Sequence, residues 1–131
     1  MPLQFTVTAE IPAAKETIYN AWLNGEEHGN MTGAPATTAE NIGDSFNAHG
    51  DYISGKNIQL VPFTKIVQSW RTTEFEEEDE DSVLEIKLED KNNHTLVTLT
   101  HSNLPPHGAQ YEQGWKDHYF KPMKTYFSTK H

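Results

Sequence analysis

The chain has 131 residues, no cysteine and a formal charge of −9. Its length suits one core-bearing domain over residues 1–131, and the missing cysteines exclude disulfides, thiolate metal sites and cysteine nucleophiles. Seven of the 19 acidic residues lie between Glu74 and Asp81, and removing those seven from −9 leaves −2; such a body lacks the excess of Lys and Arg that nucleic-acid binding requires, so no nucleic acid is expected as a partner.

Only 35% of the residues are apolar, yet three Trp, five Tyr and six Phe are among the rings available, so large side chains do much of the burying. No run approaches the roughly 20 apolar residues of a membrane helix. The start, Met1 to Thr6, has no basic stretch followed by an apolar one, so no membrane insertion and a cytoplasmic location are expected.

In chain order, Phe5, Val7, Ala9 and Ile11 alternate with polar residues, which predicts a half-buried strand over 4–11 ended by Pro12. Ala14, Ile18, Ala21 and Trp22 then recur at helical spacing as far as Asn24 and Gly25, and a short, weakly periodic piece follows over 26–32. From Ala36 the pattern is all strand: 36–40, 45–50, 52–61, 65–75, 82–90 and 95–102, divided by Asn41–Asp44, Gly50–Asp51, Pro62, the acidic run and Asp90–Asn93. Such short connections predict an antiparallel meander. Leu84, Ile86 and Leu88, like Val97, Leu99 and His101, occupy alternate positions and mark the buried face.

After Pro105-Pro106-His107-Gly108, rings and a methionine recur every fourth residue: Tyr111, Trp115, Tyr119, Met123 and Phe127. This is a long terminal helix with an aromatic stripe, in which Pro122 should force a kink by removing the bond to the carbonyl of His118. A long helix laid on a twisted antiparallel sheet encloses space that is either packed core or a ligand cavity.

Several stretches carry a family resemblance. Gln113-Gly114-Trp115, followed by His118-Tyr119-Phe120, resembles the terminal helix of the activator of heat-shock protein 90 ATPase homologue family. Ala34-Pro35-Ala36, Gly43-Asp44-Ser45-Phe46, Ile53-Ser54-Gly55, Leu60-Val61-Pro62, Ile66 to Arg71 and Thr95 to Leu99 follow the same pattern in order. The resemblance implies the START-like (SRPBCC) helix-grip fold: an α+β domain with a curved six- to seven-stranded antiparallel sheet wrapped around a long C-terminal helix, and two short helices after strand 1. It also implies a stress-related co-chaperone role toward a chaperone ATPase. The family's eukaryotic co-chaperones carry a larger preceding domain, so a stand-alone version is expected to lose part of that contact surface. Superfamily relatives use the cavity for lipids, hormones or polyketides, and a few catalyse reactions there.

The residues give three readings. Phe46, Trp70, His101, Tyr111, Trp115, Tyr119 and Met123 come from elements that meet in the interior, so they either fill the core or line a cavity for a small apolar molecule. Second, the acidic run is expected as a solvated hairpin loop outside that cavity, with Glu76, Glu77, Glu78 and Asp79 the candidates for docking a basic partner. Third, His101 is the first candidate for a proton-transfer residue, with Glu112 or Tyr111 beside it. No nucleophile elbow, phosphate loop, dinucleotide fingerprint, EF-hand register or H-E-x-x-H spacing is present, so the expectation is a non-enzymatic domain without metal or cofactor, as a monomer or weak dimer.

Overall fold

The computed structural model of the protein describes residues 3–32, 36–37, 41–48, 52–91 and 94–129. Seven strands follow the period-two pattern: β1 (Leu3–Ile11), β2 (Ala36–Thr37), β3 (Ser45–Ala48), β4 (Ile53–Val61), β5 (Lys65–Thr72), β6 (Ser82–Lys91) and β7 (His94–Leu104). They form one antiparallel sheet in the order β1-β7-β6-β5-β4-β3-β2. The register sets Leu84 opposite His101 and Ile86 opposite Leu99, and on the other side of β7 sets Phe5 opposite His101 and Val7 opposite Leu99. One face of the sheet is therefore continuous and apolar, and Val97, Leu99 and His101 are fully buried in it.

The buried face also carries amides. Trp22 Nε1 donates to Gln68 Oε1 (3.4 Å), Gln68 Nε2 to Asn57 Oδ1 (2.8 Å), and Asn57 Nδ2 to the Asn41 carbonyl (3.1 Å). This thread satisfies two buried amide side chains and ties the first helix across β5 and β4 to the turn before β3. Gly55 in β4 answers a packing demand: a Cβ there would meet the Ser69 carbonyl oxygen at 1.8 Å and the Phe46 ring at 2.7 Å.

Two helices, α1 (Lys15–Leu23) and α2 (Gly25–Thr32), separate β1 from β2. α1 buries Ile18, Tyr19, Ala21, Trp22 and Leu23. The weakly periodic piece over 26–32 is helical because Asn24 caps it, its Oδ1 accepting from the Glu27 N–H (3.0 Å) and its carbonyl from the His28 N–H (2.8 Å). The expected strands at 36–40 and 45–50 are seen as β2 and β3, while positions 38–40 and 49–50 lie outside the described residues. β5 ends at Thr72, three residues before the predicted limit, because the chain turns there: Thr72 Oγ1 accepts from the Glu74 N–H (3.2 Å) and the Thr72 carbonyl from the Phe75 N–H (3.1 Å).

After β7, a 3₁₀ turn (Pro106–Ala109) leads into α3 (Gln110–Trp115), a π-helical turn (Lys116–Phe120) and α4 (Lys121–Thr129). The interruption expected at Pro122 takes the form of this wide turn, in which the Lys121 N–H reaches back to the Lys116 carbonyl. The ladder has already shifted register where proline has no N–H to give. A strict four-residue repeat would drift around a 3.6-residue helix by about 40° per step; the wide turn takes up that drift, and Tyr111, Trp115, Tyr119, Met123 and Phe127 are all buried. The whole is the helix-grip (START-like) α+β fold. Among the described residues no helix is long and apolar enough to cross a membrane.

Candidate functional site

A cleft of about 410 Å³ opens between the first residues of β4, the end of β5 and the α3–π segment. Its walls include Tyr52, Trp70, Tyr111, Gly114, Trp115 and Tyr119, with no Lys or Arg among the lining residues. The rings are packed on one another: Trp70 lies 5.0 Å from Tyr111 and 5.6 Å from Trp115 between centroids, and Trp115 lies 4.6 Å from Tyr119. Behind them, the Tyr119 hydroxyl meets His28 Nε2 (2.8 Å), and His28 Nδ1 meets the Trp22 carbonyl (2.9 Å). His28 therefore donates from Nδ1 and accepts at Nε2, and burial raises the Tyr119 phenol far above its ordinary range.

Gly114 opens the cleft. A Cβ there would find only the His118 ring, at 4.0 Å, so packing does not require glycine. Glycine inside a helix costs about 1 kcal/mol relative to alanine. The consequence visible in the structure is space, since Gly114 is part of the cleft wall.

The mouth is polar and converges on one atom. Glu74 Oε2 accepts from the Tyr52 hydroxyl, from the Tyr111 hydroxyl (3.4 Å) and from Gln110 Nε2 (3.4 Å). Tyr111 and Thr72 share a further hydroxyl contact at 2.6 Å. Burial, and then the Glu74 contact, push the Tyr52 phenol above its ordinary range, and burial is the main cause of the rise at Tyr111. These shifts keep both phenols protonated as donors to the carboxylate. The acidic run is expected outside the cavity, and none of it lines the cleft; its first member, Glu74, nonetheless bonds three of the lining residues, because the early turn after Thr72 folds it back toward Tyr52 and Tyr111.

His101 belongs to a closed relay. Trp115 Nε1 donates to His101 Nδ1 (3.0 Å), His101 Nε2 meets Ser82 Oγ (2.7 Å), and Ser82 Oγ donates to the Trp70 carbonyl (2.6 Å). Only the neutral ring with its proton on Nε2 completes this chain. Burial drives the imidazole down to about 3, so it stays uncharged. Neither Glu112 nor Tyr111 is its hydrogen-bond partner: both ring nitrogens are taken, Tyr111 turns to Thr72 and Glu74, and Glu112 is exposed.

The rest of the acidic run is more ordered than a loop of repelling charges. Arg71 Nη1 donates to Asp81 Oδ1 (2.7 Å) and to the Asp79 carbonyl (3.3 Å), and Nη2 donates to the Glu76 carbonyl (3.0 Å). The Glu76 N–H bonds Asp79 Oδ2 (2.9 Å), and Phe75 turns into the core beside Trp70, 6.1 Å between centroids. Glu77 and Glu78 stay exposed.

Of the residues singled out from the sequence, Trp70, Tyr111, Trp115 and Tyr119 meet in the cleft. Phe46, Met123 and His101 lie buried elsewhere, at 4%, 0% and 0% exposure, and do not line it. Sequence reasoning missed Tyr52, Glu74, Gln110 and Gly114 at the cleft and His28 behind it. Gly114 had a signal, an isolated glycine inside a strong helical pattern; His28 had none, since the helix carrying it has no apolar stripe.

Comparison with known proteins bears on the chain as a whole. The family model described as "Activator of Hsp90 ATPase homolog 1-like protein" matches residues 12–128. A human relative, "Activator of 90 kDa heat shock protein ATPase homolog 1", is 27% identical over 125 residues, which are 95% of this chain and 37% of the relative; the chain thus spans little more than a third of that protein. Among solved structures, an HSP90 activator from Plasmodium falciparum superposes with a TM-score of 0.85 at 22% identity over 94% of each chain. The Aha1 dimer from Colwellia psychrerythraea superposes with a TM-score of 0.73 at 20% identity, over 87% of this chain and 88% of that one. At these identities the structural likeness speaks for the fold alone.

Proposed function

The chain belongs to the activator of Hsp90 ATPase homologue 1-like family, matched over residues 12–128, and from that premise we propose that it is a non-enzymatic cytoplasmic co-chaperone that regulates an Hsp90-type ATPase. The observation that carries this reading is the extent of the match, which takes in nearly every element of the fold. The acidic loop supplies a surface for it: Arg71 holds the loop while Glu77 and Glu78 stay exposed and make no hydrogen bond or ion pair among the described residues. A basic patch on the chaperone is the complementary surface. The test is the ATPase rate of the Hsp90 homologue from the same source with added protein. Stimulation at micromolar concentration, weakened by Glu77→Lys with Glu78→Lys, is expected; absence of both binding and stimulation would remove the reading.

A second reading rests on the cleft. An aromatic hollow of about 410 Å³, within the size range of small-molecule sites, kept open by a glycine that packing does not demand, suits a small apolar ligand. Native mass spectrometry of protein purified from its own cells should then find a retained small molecule that Gly114→Leu protein does not carry.

A further inference from the structure

We propose that the cleft selects organic cations: a small aromatic amine whose rings lie among Trp70, Trp115 and Tyr119 and whose ammonium meets Glu74 at the mouth. This rests on the second reading above, that the cleft takes a ligand, and adds the charge of that ligand. Three observations converge on it. The lining is rich in aromatic rings, whose faces attract cations, and it holds no Lys or Arg to compete for the site or to receive an anion. The carboxylate is fixed: Tyr52, Tyr111 and Gln110, each of them a lining residue, all hold Glu74 through Oε2. Oε1 has no hydrogen-bond partner among the described residues, so a positioned anionic acceptor remains at the mouth.

Charge beyond the site acts in the same sense. Glu74 opens a stretch with seven acids, and the chain as a whole carries −9. A cation approaching the mouth meets an excess of negative charge, whereas an anion meets repulsion and finds no Lys or Arg on the wall. The phenols do not offset this, because they already point their protons at Glu74. Gly114 and the π-helical turn complete the arrangement, one leaving room for a bicyclic ring and the other carrying Tyr119 and His118 on the cleft wall.

The test is calorimetric titration at pH 7.5 with three probes of one shape: 2-(2-naphthyl)ethylammonium, 2-(2-naphthyl)ethanol and 2-naphthylacetate. The ammonium should bind about tenfold tighter than the alcohol, and the carboxylate weakest of all. Glu74→Gln, which keeps the shape and the acceptor for Tyr52, should bring the ammonium to the alcohol's affinity while leaving the alcohol unchanged. Gly114→Leu should abolish binding of all three. Equal binding of the three probes to the wild-type protein would overturn the inference and leave the ligand reading standing, whereas no binding of any probe would overturn both. Undiminished binding of the ammonium by Gly114→Leu would place it on the acidic surface and also overturn the proposal.

Discussion

Trp70 touches two polar arrangements, His101 at 4.5 Å and Tyr111 at 5.0 Å between centroids, and they are built to opposite ends. Around His101 every polar atom is spent: Trp115, His101, Ser82 and the Trp70 carbonyl form a chain in which each proton has one acceptor, at full burial of His101 and Ser82. Around Tyr111 the bonds converge on one carboxylate oxygen and leave the other without a hydrogen-bond partner among the described residues, beside the residues that line the cleft. A buried polar group with all its bonds made serves the fold, joining β5, β6, β7 and the terminal helix. A fixed group with a bond left to make is where a ligand can act. Of the two, the histidine is the more conspicuous in the sequence, yet the tyrosine and glutamate hold the chemistry open to binding.

Acid should strain the closed arrangement most. The unfolded chain takes a proton on His101 near pH 6.5, whereas the folded chain does so only near 3. The stability this contributes is complete above about pH 6.5 and is lost as the pH falls toward 3, by up to about 5 kcal/mol at the lower limit. Urea unfolding at a series of pH values reads it, and His101→Gln should flatten that part of the curve. An unchanged slope in the variant would mean that other groups cause the acid sensitivity.

Next in size is His101→Ala, which leaves the Trp115 N–H buried without an acceptor beside a new cavity. A loss of about 3–5 kcal/mol is expected in denaturant melts; a loss below 1 kcal/mol would return His101 to the list of candidates for function. Arg71→Ala removes three hydrogen bonds to the acidic loop from a half-exposed side chain, and should cost about 1–2 kcal/mol. Hydrogen exchange should then rise in residues 73–81 and not in β6 or β7. The smallest change has the opposite sign: Gly114→Ala should stabilise the protein by about 0.5–1 kcal/mol while narrowing the cleft. Destabilisation would show that the glycine is structural and weaken the case for the open side.

The architecture was legible in the sequence because two periods carry it. Alternation over 82–90 and 95–102 marked β6 and β7, and the four-residue stripe from Tyr111 to Phe127 marked the terminal helix and the rings that meet in the cleft. The π-helical turn was half-legible: Pro122 announced an interruption, but its form depends on keeping a four-residue repeat against one sheet. α2 was expected as a second short helix but left only a weak periodic trace over 26–32, because a short helix held by an Asn24 cap and one buried histidine needs no apolar stripe. At the mouth, Tyr52 and Glu74 lie 22 residues apart at the ends of neighbouring strands, and their meeting depends on where β5 stops. That in turn depends on the turn at Thr72, made by its hydroxyl and its carbonyl, which no periodicity signals. In the sequence the acidic run is one solvated feature, whereas in the structure Glu74 bonds the cleft's tyrosines, Asp79 and Asp81 serve the Arg71 loop, and Glu77 and Glu78 remain exposed.

The difference between the open and closed arrangements is tested most directly by backbone and side-chain NMR of the wild-type protein before and after saturation with 2-(2-naphthyl)ethylammonium. The account predicts shifts at Tyr52, Glu74, Gln110 and Gly114, while His101 keeps its single neutral tautomer with the proton on Nε2. A spectrum in which the His101 nitrogens change protonation state and Glu74 does not respond would contradict it.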